Sequence, residues 1–358
     1  MKNRIIGFDL ARAYAIFGMY IVNFNIVFGN YNDSSLLGKF LALFSGNSST
    51  VFVMLAGMGV ALMTNRPHYS PEEQQRLRTI IHKRALFLFV IGLMLYTWWP
   101  ADILHFYGGY MHIAALLLFV DKRHYLSVAA LAIILFHALM LVIPYETGWN
   151  FTTLEYKDFW TVSGFLRNTL YNGWNPILPW LSYFTVGMYL GRLDWTQPKT
   201  QRKMFSLGAA LYLIVVLVQS VANHVAVAED MRFFLTADYI PPFLPFILST
   251  MGFGLMLISA FMVGSKYWET STFAHNLAKT GQMTLTHYIS HLTIGIVIFA
   301  LVTGKKFEGT MNTQAPVHPA FILLFAIVYY LLSYSFSTLW TRKYNNGPFE
   351  MLMRKLSD

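Results

Sequence analysis

Long apolar runs separated by short polar stretches set the pattern of this chain. Runs of the length a helix needs to cross bilayer hydrocarbon lie near residues 5–28, 49–65, 85–100, 103–120, 125–144, 176–193, 204–227, 242–264, 281–303 and 317–341. They predict an all-α integral membrane protein of about ten transmembrane helices, folded as a single polytopic domain over residues 1–358. The first run carries Asp9 and Arg12 inside its apolar length and has no small-residue cleavage site, so it reads as a span and not as a cleaved signal peptide. Among the polar stretches, 66–84 contains Ser70, Pro71 and Glu73 at the N-cap, first and third positions of a capping box. That spacing predicts a short helix running into the third span. Residues 145–175 are rich in Trp, Tyr and Asn and are expected to fold over one face, and Leu36–Phe44 is apolar enough to lie in the membrane interface.

Composition agrees with the pattern and removes other classes. Hydrophobic residues make up 56% of the chain and charged ones 12%, about half the roughly 25% usual in soluble proteins. A cytosolic enzyme, a disordered chain and a secreted disulfide scaffold are excluded. With no cysteine there is no thiol catalysis, no Cys-ligated metal and no disulfide. The net charge of +9 reads as nucleic-acid binding or as membrane topology, and its distribution decides. With the N-terminus inside, the segments 1–4, 66–84, 121–124, 192–203, 265–280 and 342–358 carry 19 Lys and Arg against 7 Asp and Glu. The outer segments carry 6 against 9, so the two sides stand at +12 and −3. This positive-inside bias predicts that both termini are cytoplasmic, that 66–84 and the tail 342–358 are internal, and that 145–175 is external. No nucleic-acid partner is implied; the bilayer is the first partner.

Several stretches, in order, carry a family resemblance. Arg4 to Asn23 reads Arg4-Ile5, then Asp9, Arg12, Ala15, Gly18 and Asn23, which resembles the opening Arg-Ile-x-x-x-Asp-x-x-Arg-Gly-x-Ala-x-x-Gly-x-x-x-x-Asn of YeiB-type bacterial membrane proteins, with Ala13 in place of the glycine. Ala101-Asp102-Ile103-Leu104 followed by Tyr107 resembles Gly-Asp-Ile-Leu-x-x-Tyr, and Pro179-Trp180 and Gly187–Arg192 resemble its Pro-Trp and Gly-Arg elements. Gly281-Gln282-Met283-Thr284-Leu285-Thr286-His287-Tyr288 resembles Gly-Arg-Met-Ala-Leu-Thr-Asn-Tyr, with His287 where that pattern has Asn. The tail Gly347-Pro348-Phe349-Glu350 to Arg354 resembles Gly-Pro-Leu-Glu-Trp-Leu-Trp-Arg. That family, filed as domain of unknown function 418, is distantly similar to transmembrane acyltransferases such as heparan-α-glucosaminide N-acetyltransferase and the bacterial O-acyltransferases. The resemblance implies a multi-pass protein of the cell inner (plasma) membrane that transfers acyl groups. The O-acyltransferases place a His eleven residues after the first-helix Arg; here that position is Asn23, which cannot act as a base.

Three groups of residues are candidates for chemistry. Asp9 and Arg12 share a helical face within the first span, where charge is expensive; they suit a phosphate or pantetheine carbonyl of the donor, and equally a helix-packing ion pair. His287 and His291, at i and i+4, suit a neutral imidazole base, and read equally as hydrogen-bonded helix contacts; their depth on the ninth span is expected to be comparable to that of Arg12. No carboxylate or cysteine accompanies them in sequence, so no metal site is expected. Asp102, His105 and Tyr107, with Trp174 and Trp180 at the start of the sixth span, form an acceptor-side set or an interfacial belt. Glu350 and Arg354, four apart, are expected to pair on the tail helix.

The leading expectation is therefore a membrane acyltransferase with no bound cofactor. It would move an acetyl-like group from a cytoplasmic acyl-CoA-type cosubstrate to a sugar or envelope-lipid acceptor, with His287 or His291 as base and Asn23 as donor to the acyl carbonyl. The alternative is a transporter or flippase for a small or lipid-linked solute, its buried polar residues lining a pathway.

Overall fold

The computed structural model describes residues 5–31, 33–66, 68–309 and 314–358, so Arg4 of the opening motif lies outside the described residues. In chain order the helices are α1 (Ile6–Phe28), α2 (Leu36–Ala42), α3 (Asn47–Leu62), α4 (Pro71–Tyr96), α5 (Leu104–Leu117) and α6 (Lys122–Met140). A two-residue hairpin, β1 (Trp149–Asn150) and β2 (Glu155–Tyr156), leads to α7 (Val162–Arg167) and a π-helical turn at Asn168–Asn172. Then follow α8 (Ile177–Gly191), α9 (Pro198–His224), α10 (Glu229–Phe234), α11 (Leu244–Gly264), α12 (Thr272–Gln282) and α13 (Thr284–Ser290). A second π-helical turn, His291–Gly295, joins α13 to α14 (Ile296–Thr303), and α15 (Pro319–Trp340) and α16 (Pro348–Ser357) end the chain.

Among the described residues, eight helical stretches are long and apolar enough to cross a membrane: 6–28, 36–62, 71–96, 122–140, 198–224, 244–264, 284–303 and 319–340. This is a multi-pass membrane protein. The other two runs, 103–120 and 176–193, form shorter helices. At 14 and 15 residues, α5 and α8 extend about 21–22 Å, against a hydrocarbon core of about 30 Å. By length and composition, eight of the expected spans are candidates among the described residues. Apolar run length does not register where a helix starts: Asp102 delays α5, and Leu178, held extended (φ −99°, ψ 121°) ahead of Pro179, interrupts the first turn of α8. The capping box at α4 is present, with Ser70 Oγ accepting from Glu73 N at 3.2 Å and Glu73 Oε2 from Ser70 N at 3.0 Å. Leu213, Leu217 and Val221 of α9, and Leu331, Leu332 and Leu339 of α15, are exposed, as faces meeting lipid require.

The described chain divides into two compact units, one of residues up to Phe52 with Leu257–Lys355, the other of Val53–Met256 with Leu356–Asp358. In the first, α1 packs on α12 and α15. Gly281 permits the α12 contact, since a Cβ there would collide with the Asp9 carbonyl oxygen. Ile6 and Leu10 interlock with Ala274 and Ala278 along the same seam, and Phe28 stacks on Phe299 at 4.4 Å.

In the second unit α5 packs on α4, and α8 on α6. Gly57 and Gly187 let α3 and α8 approach backbone to backbone, over the carbonyls of Phe184 and Met54. Arg192 then caps two helix ends, donating to Thr64 O and Oγ1 after α3 and to Leu118 O after α5. The 145–175 segment is folded around Asn172, whose Nδ2 donates to Tyr145 O and Thr147 O at 2.7 and 2.8 Å while its Oδ1 accepts from Tyr156 OH at 2.7 Å. Arg167 braces it through Asp158 and Tyr156.

Candidate functional site

Polar side chains in the first unit gather on α1, α13, the turn after it, and α15. Each lies in an otherwise apolar helix, where a hydrogen-bond partner must come from a neighbouring helix. Near the N-terminal end of α1, Arg12 Nη1 pairs with Asp9 Oδ1 at 2.9 Å, and Gln282 Nε2 donates to Asp9 Oδ2 at 3.1 Å. Asp9 is buried at 3% exposure and Arg12 retains 22%, so a buried carboxylate holds a part-exposed arginine side chain.

Eleven residues on, Asn23 Nδ2 lies 2.7 Å from His291 Nε2. The network assigns the protons. His291 Nδ1 is 3.1 Å from the His287 carbonyl oxygen, to which it can only donate. Neutral His291 therefore carries its lone pair on Nε2, and Asn23 donates to it. His287 holds the opposite tautomer. Ser337 Oγ donates to Ser333 O at 2.8 Å, so at 2.7 Å it accepts from His287 Nε2–H. Tyr20 OH in turn donates to Ser333 Oγ at 2.9 Å, because that hydroxyl proton goes to Tyr329 O. The two histidines are buried, whereas Asn23 is half-buried.

This geometry changes one expectation. Gly281 and Gln282 stand at the level of Asp9, while His291 stands at Asn23, so His291 and Arg12 are not at one depth but about 16 Å apart along α1. Eleven residues make almost a whole number of turns, so Arg12 and Asn23 share a face of α1.

The second unit holds the other five candidates, all buried. Asp102 Oδ2 accepts from His105 N and from His105 Nδ1, each at 3.0 Å, so the carboxylate caps α5 and orients the imidazole together. His105 Nε2 has no partner among the described residues. The ring packs against Tyr96, Phe106 and Phe159. Trp174 and Trp180 both meet Tyr239, whose hydroxyl accepts from Asn175 Nδ2 at 2.6 Å, and Tyr107 lies 5.7 Å from Tyr110, which bonds Asn175 O. So the structure brings Asp102 together with His105, and the two tryptophans together around Tyr239.

Residues 4–224 match the family described as heparan-alpha-glucosaminide N-acetyltransferase, catalytic. The chain belongs to that family. Residues 190–358 also match the family described as protein of unknown function (DUF418), carrying the YeiB-type resemblance to the C-terminus. No protein with a curated description matches the chain. Asp9, Arg12 and Asn23 fall inside the first match, and His287 and His291 inside the second. The Asn23–His291 contact joins the two.

Two serines of this network were not singled out in sequence. Ser333 and Ser337 sit four apart in the last apolar run, a spacing that puts two hydroxyls on one buried face and was available as a signal. Glu350, expected on the tail helix to pair with Arg354, accepts with its carboxylate from Leu285 N, Thr286 N and Thr286 Oγ1, contacts that helical spacing did not point to. Two freed helix amides give a buried carboxylate charge-assisted hydrogen bonds. Among the described residues no group of three His, Asp or Glu gathers as a metal site would require.

Proposed function

We propose that this protein transfers an acetyl-like group from an acyl-CoA-type thioester to a hydroxyl or amine acceptor, a sugar or an envelope lipid. The Asn23–His291 contact carries the reading, in a chain of an acetyltransferase family. His291 presents an Nε2 lone pair fixed by its Nδ1–H bond, and Asn23 presents an N–H aimed at the same point. With substrates between them, Nε2 takes the acceptor's proton as its oxygen or nitrogen forms the new bond to the thioester carbonyl carbon. Asn23 Nδ2 donates to the carbonyl oxygen as it gains negative charge. The C–S bond then breaks, and the imidazolium returns the proton to the departing thiolate, leaving free CoA-type thiol and the acylated acceptor. His287, engaged through Nε2, supports His291 through its carbonyl.

Arg12, held by Asp9, takes the phosphate end of the donor. The distance of about 16 Å from Arg12 to Asn23 along one face suits an extended pantetheine arm. In the second unit Asp102, His105, Tyr107, Trp174 and Trp180 are kept as candidates for binding a sugar or headgroup on their own account, aromatic faces being suited to sugar rings and headgroups. The charge asymmetry of the loops supports both termini in the cytoplasm and residence in the cell inner (plasma) membrane, with donor supplied from inside.

The test is purified protein with radiolabelled acetyl-CoA and an envelope extract. Label passes to an extract component, and His291→Ala lowers the rate by about a hundredfold or more while Asn23→Ala lowers it comparably. Absence of transfer, or a His291→Ala protein as fast as the parent, ends the reading.

A further inference from the structure

The tail helix α16 supplies a side chain to the helix that carries the histidines. α12 ends at Gln282 and α13 starts at Thr284, with Met283 between them at φ −107°, ψ 37°. The break takes the amides of Leu285 and Thr286 out of the backbone ladder, leaving two buried donors to be satisfied. Both donate to Glu350 Oε1, at 2.7 and 3.1 Å, and Thr286 Oγ1 bonds Oε2. The exchange is reciprocal, since Phe349 N donates to Thr286 Oγ1 at 3.2 Å. One residue later the ladder resumes, His287 N donating to Met283 O at 3.0 Å. Gly347 makes room, as a Cβ there would collide with Glu350 Oε2 and stand 2.6 Å from Thr286 Oγ1.

α13 has little to hold it in place by itself. It is seven residues long and passes directly into the π-helical turn that begins at His291, a geometry less well bonded than an α-helix. Yet the His287–Ser337 and His291–Asn23 bonds, both 2.7 Å, tolerate little movement along the helix axis before they are lost.

We propose that Glu350 is a positioning residue for the acyl-transfer site: it caps α13 from the C-terminal tail and so holds His287 and His291 against Ser337 and Asn23. The proposal rests on the reading of these histidines as the reacting centre, but the geometry it claims is measurable without turnover. Glu350 touches no reacting atom. Its effect passes through the helix.

The experiment uses full-length protein in nanodiscs with ¹⁵N-labelled histidine, signals assigned through His287→Ala and His291→Ala. The parent shows His291 protonated on Nδ1 and His287 on Nε2. Glu350→Ala collapses both signals towards mixed tautomers and lowers kcat for acetyl transfer roughly ten- to a hundredfold, as misplaced catalytic groups do. Glu350→Gln, whose amide oxygen accepts from the same two N–H groups, restores both. Should Glu350→Ala fail to fold, Gly347→Ala displaces the carboxylate with less damage and is expected to mix the tautomers likewise. Imidazole signals unchanged from the parent in the folded variant overturn the proposal. A parent that transfers no acetyl group ends the acyltransferase reading alone, and the imidazole signals then decide whether Glu350 positions the histidines.

Discussion

Opposite tautomers give the two histidines different work. His291 keeps an accepting Nε2 opposite Asn23, while His287 spends its Nε2–H on Ser337. Ser337→Ala leaves that buried N–H without an acceptor, which costs about 1–2 kcal/mol and lowers Tm by about 1–3 °C in detergent. The double variant with His287→Ala is expected to be no less stable than His287→Ala alone, because the lost bond is the same one. Additive losses would mean that His287 does not donate to Ser337. Asp9, Arg12, Asn23, His287 and His291 were each visible in the sequence as polar residues in apolar runs. Which of them touch was not, since Asn23 and His291 are separated by 268 residues and helical spacing carries no information about the neighbouring helix.

Between elements, the joints decide more than the helices. The capping box of α4 was legible because all its parts lie within four residues. The cap of α13 was not, because its donor helix and its carboxylate are 65 residues apart, and an i, i+4 Glu–Arg spacing pointed to a local pair. The remote cap also has a pH signature. Burial pushes the Glu350 carboxyl above the ordinary 4.5, against the pull of its hydrogen bonds to Thr286 and Leu285. A raised folded value means that the folded state favours the protonated form. The stability this contributes is fully present below about 4.5 and is lost as pH rises through the folded value. The protonated carboxyl keeps the arrangement, with Oε1 accepting and Oε2–H turned to Thr286 Oγ1. Thermal unfolding from pH 4 upward should therefore show the parent losing stability relative to Glu350→Gln, with the gap levelling off once the carboxyl is ionised. A constant gap across that range would mean that burial does not disfavour the charge.

For the whole chain, orientation is the property that composition carries best, since it depends on counts over many loops and on no single contact. The +12 and −3 split predicts which loops face the cytoplasm. The absence of cysteine makes this testable without background. Lys39→Cys, Lys157→Cys and Lys305→Cys place single thiols on predicted outer segments; Lys83→Cys and Lys199→Cys place them on predicted inner ones. All five positions lie outside the hydrogen-bonded groups around Asn23, His287 and His291, so the variants are expected to fold. A membrane-impermeant maleimide applied to intact spheroplasts should label the first three, and the last two only after permeabilisation. Because α5 and α8 are shorter helices, labelling at Lys157 also separates two topologies. If α5 reaches only part of the way through, the 145–175 segment lies on the side opposite to that predicted, and Lys157→Cys joins the protected group. Labelling of Lys83→Cys in intact cells would reverse the orientation and remove Arg12 from the side where an acyl-CoA arrives. The acyl-transfer reading would then need its donor site elsewhere.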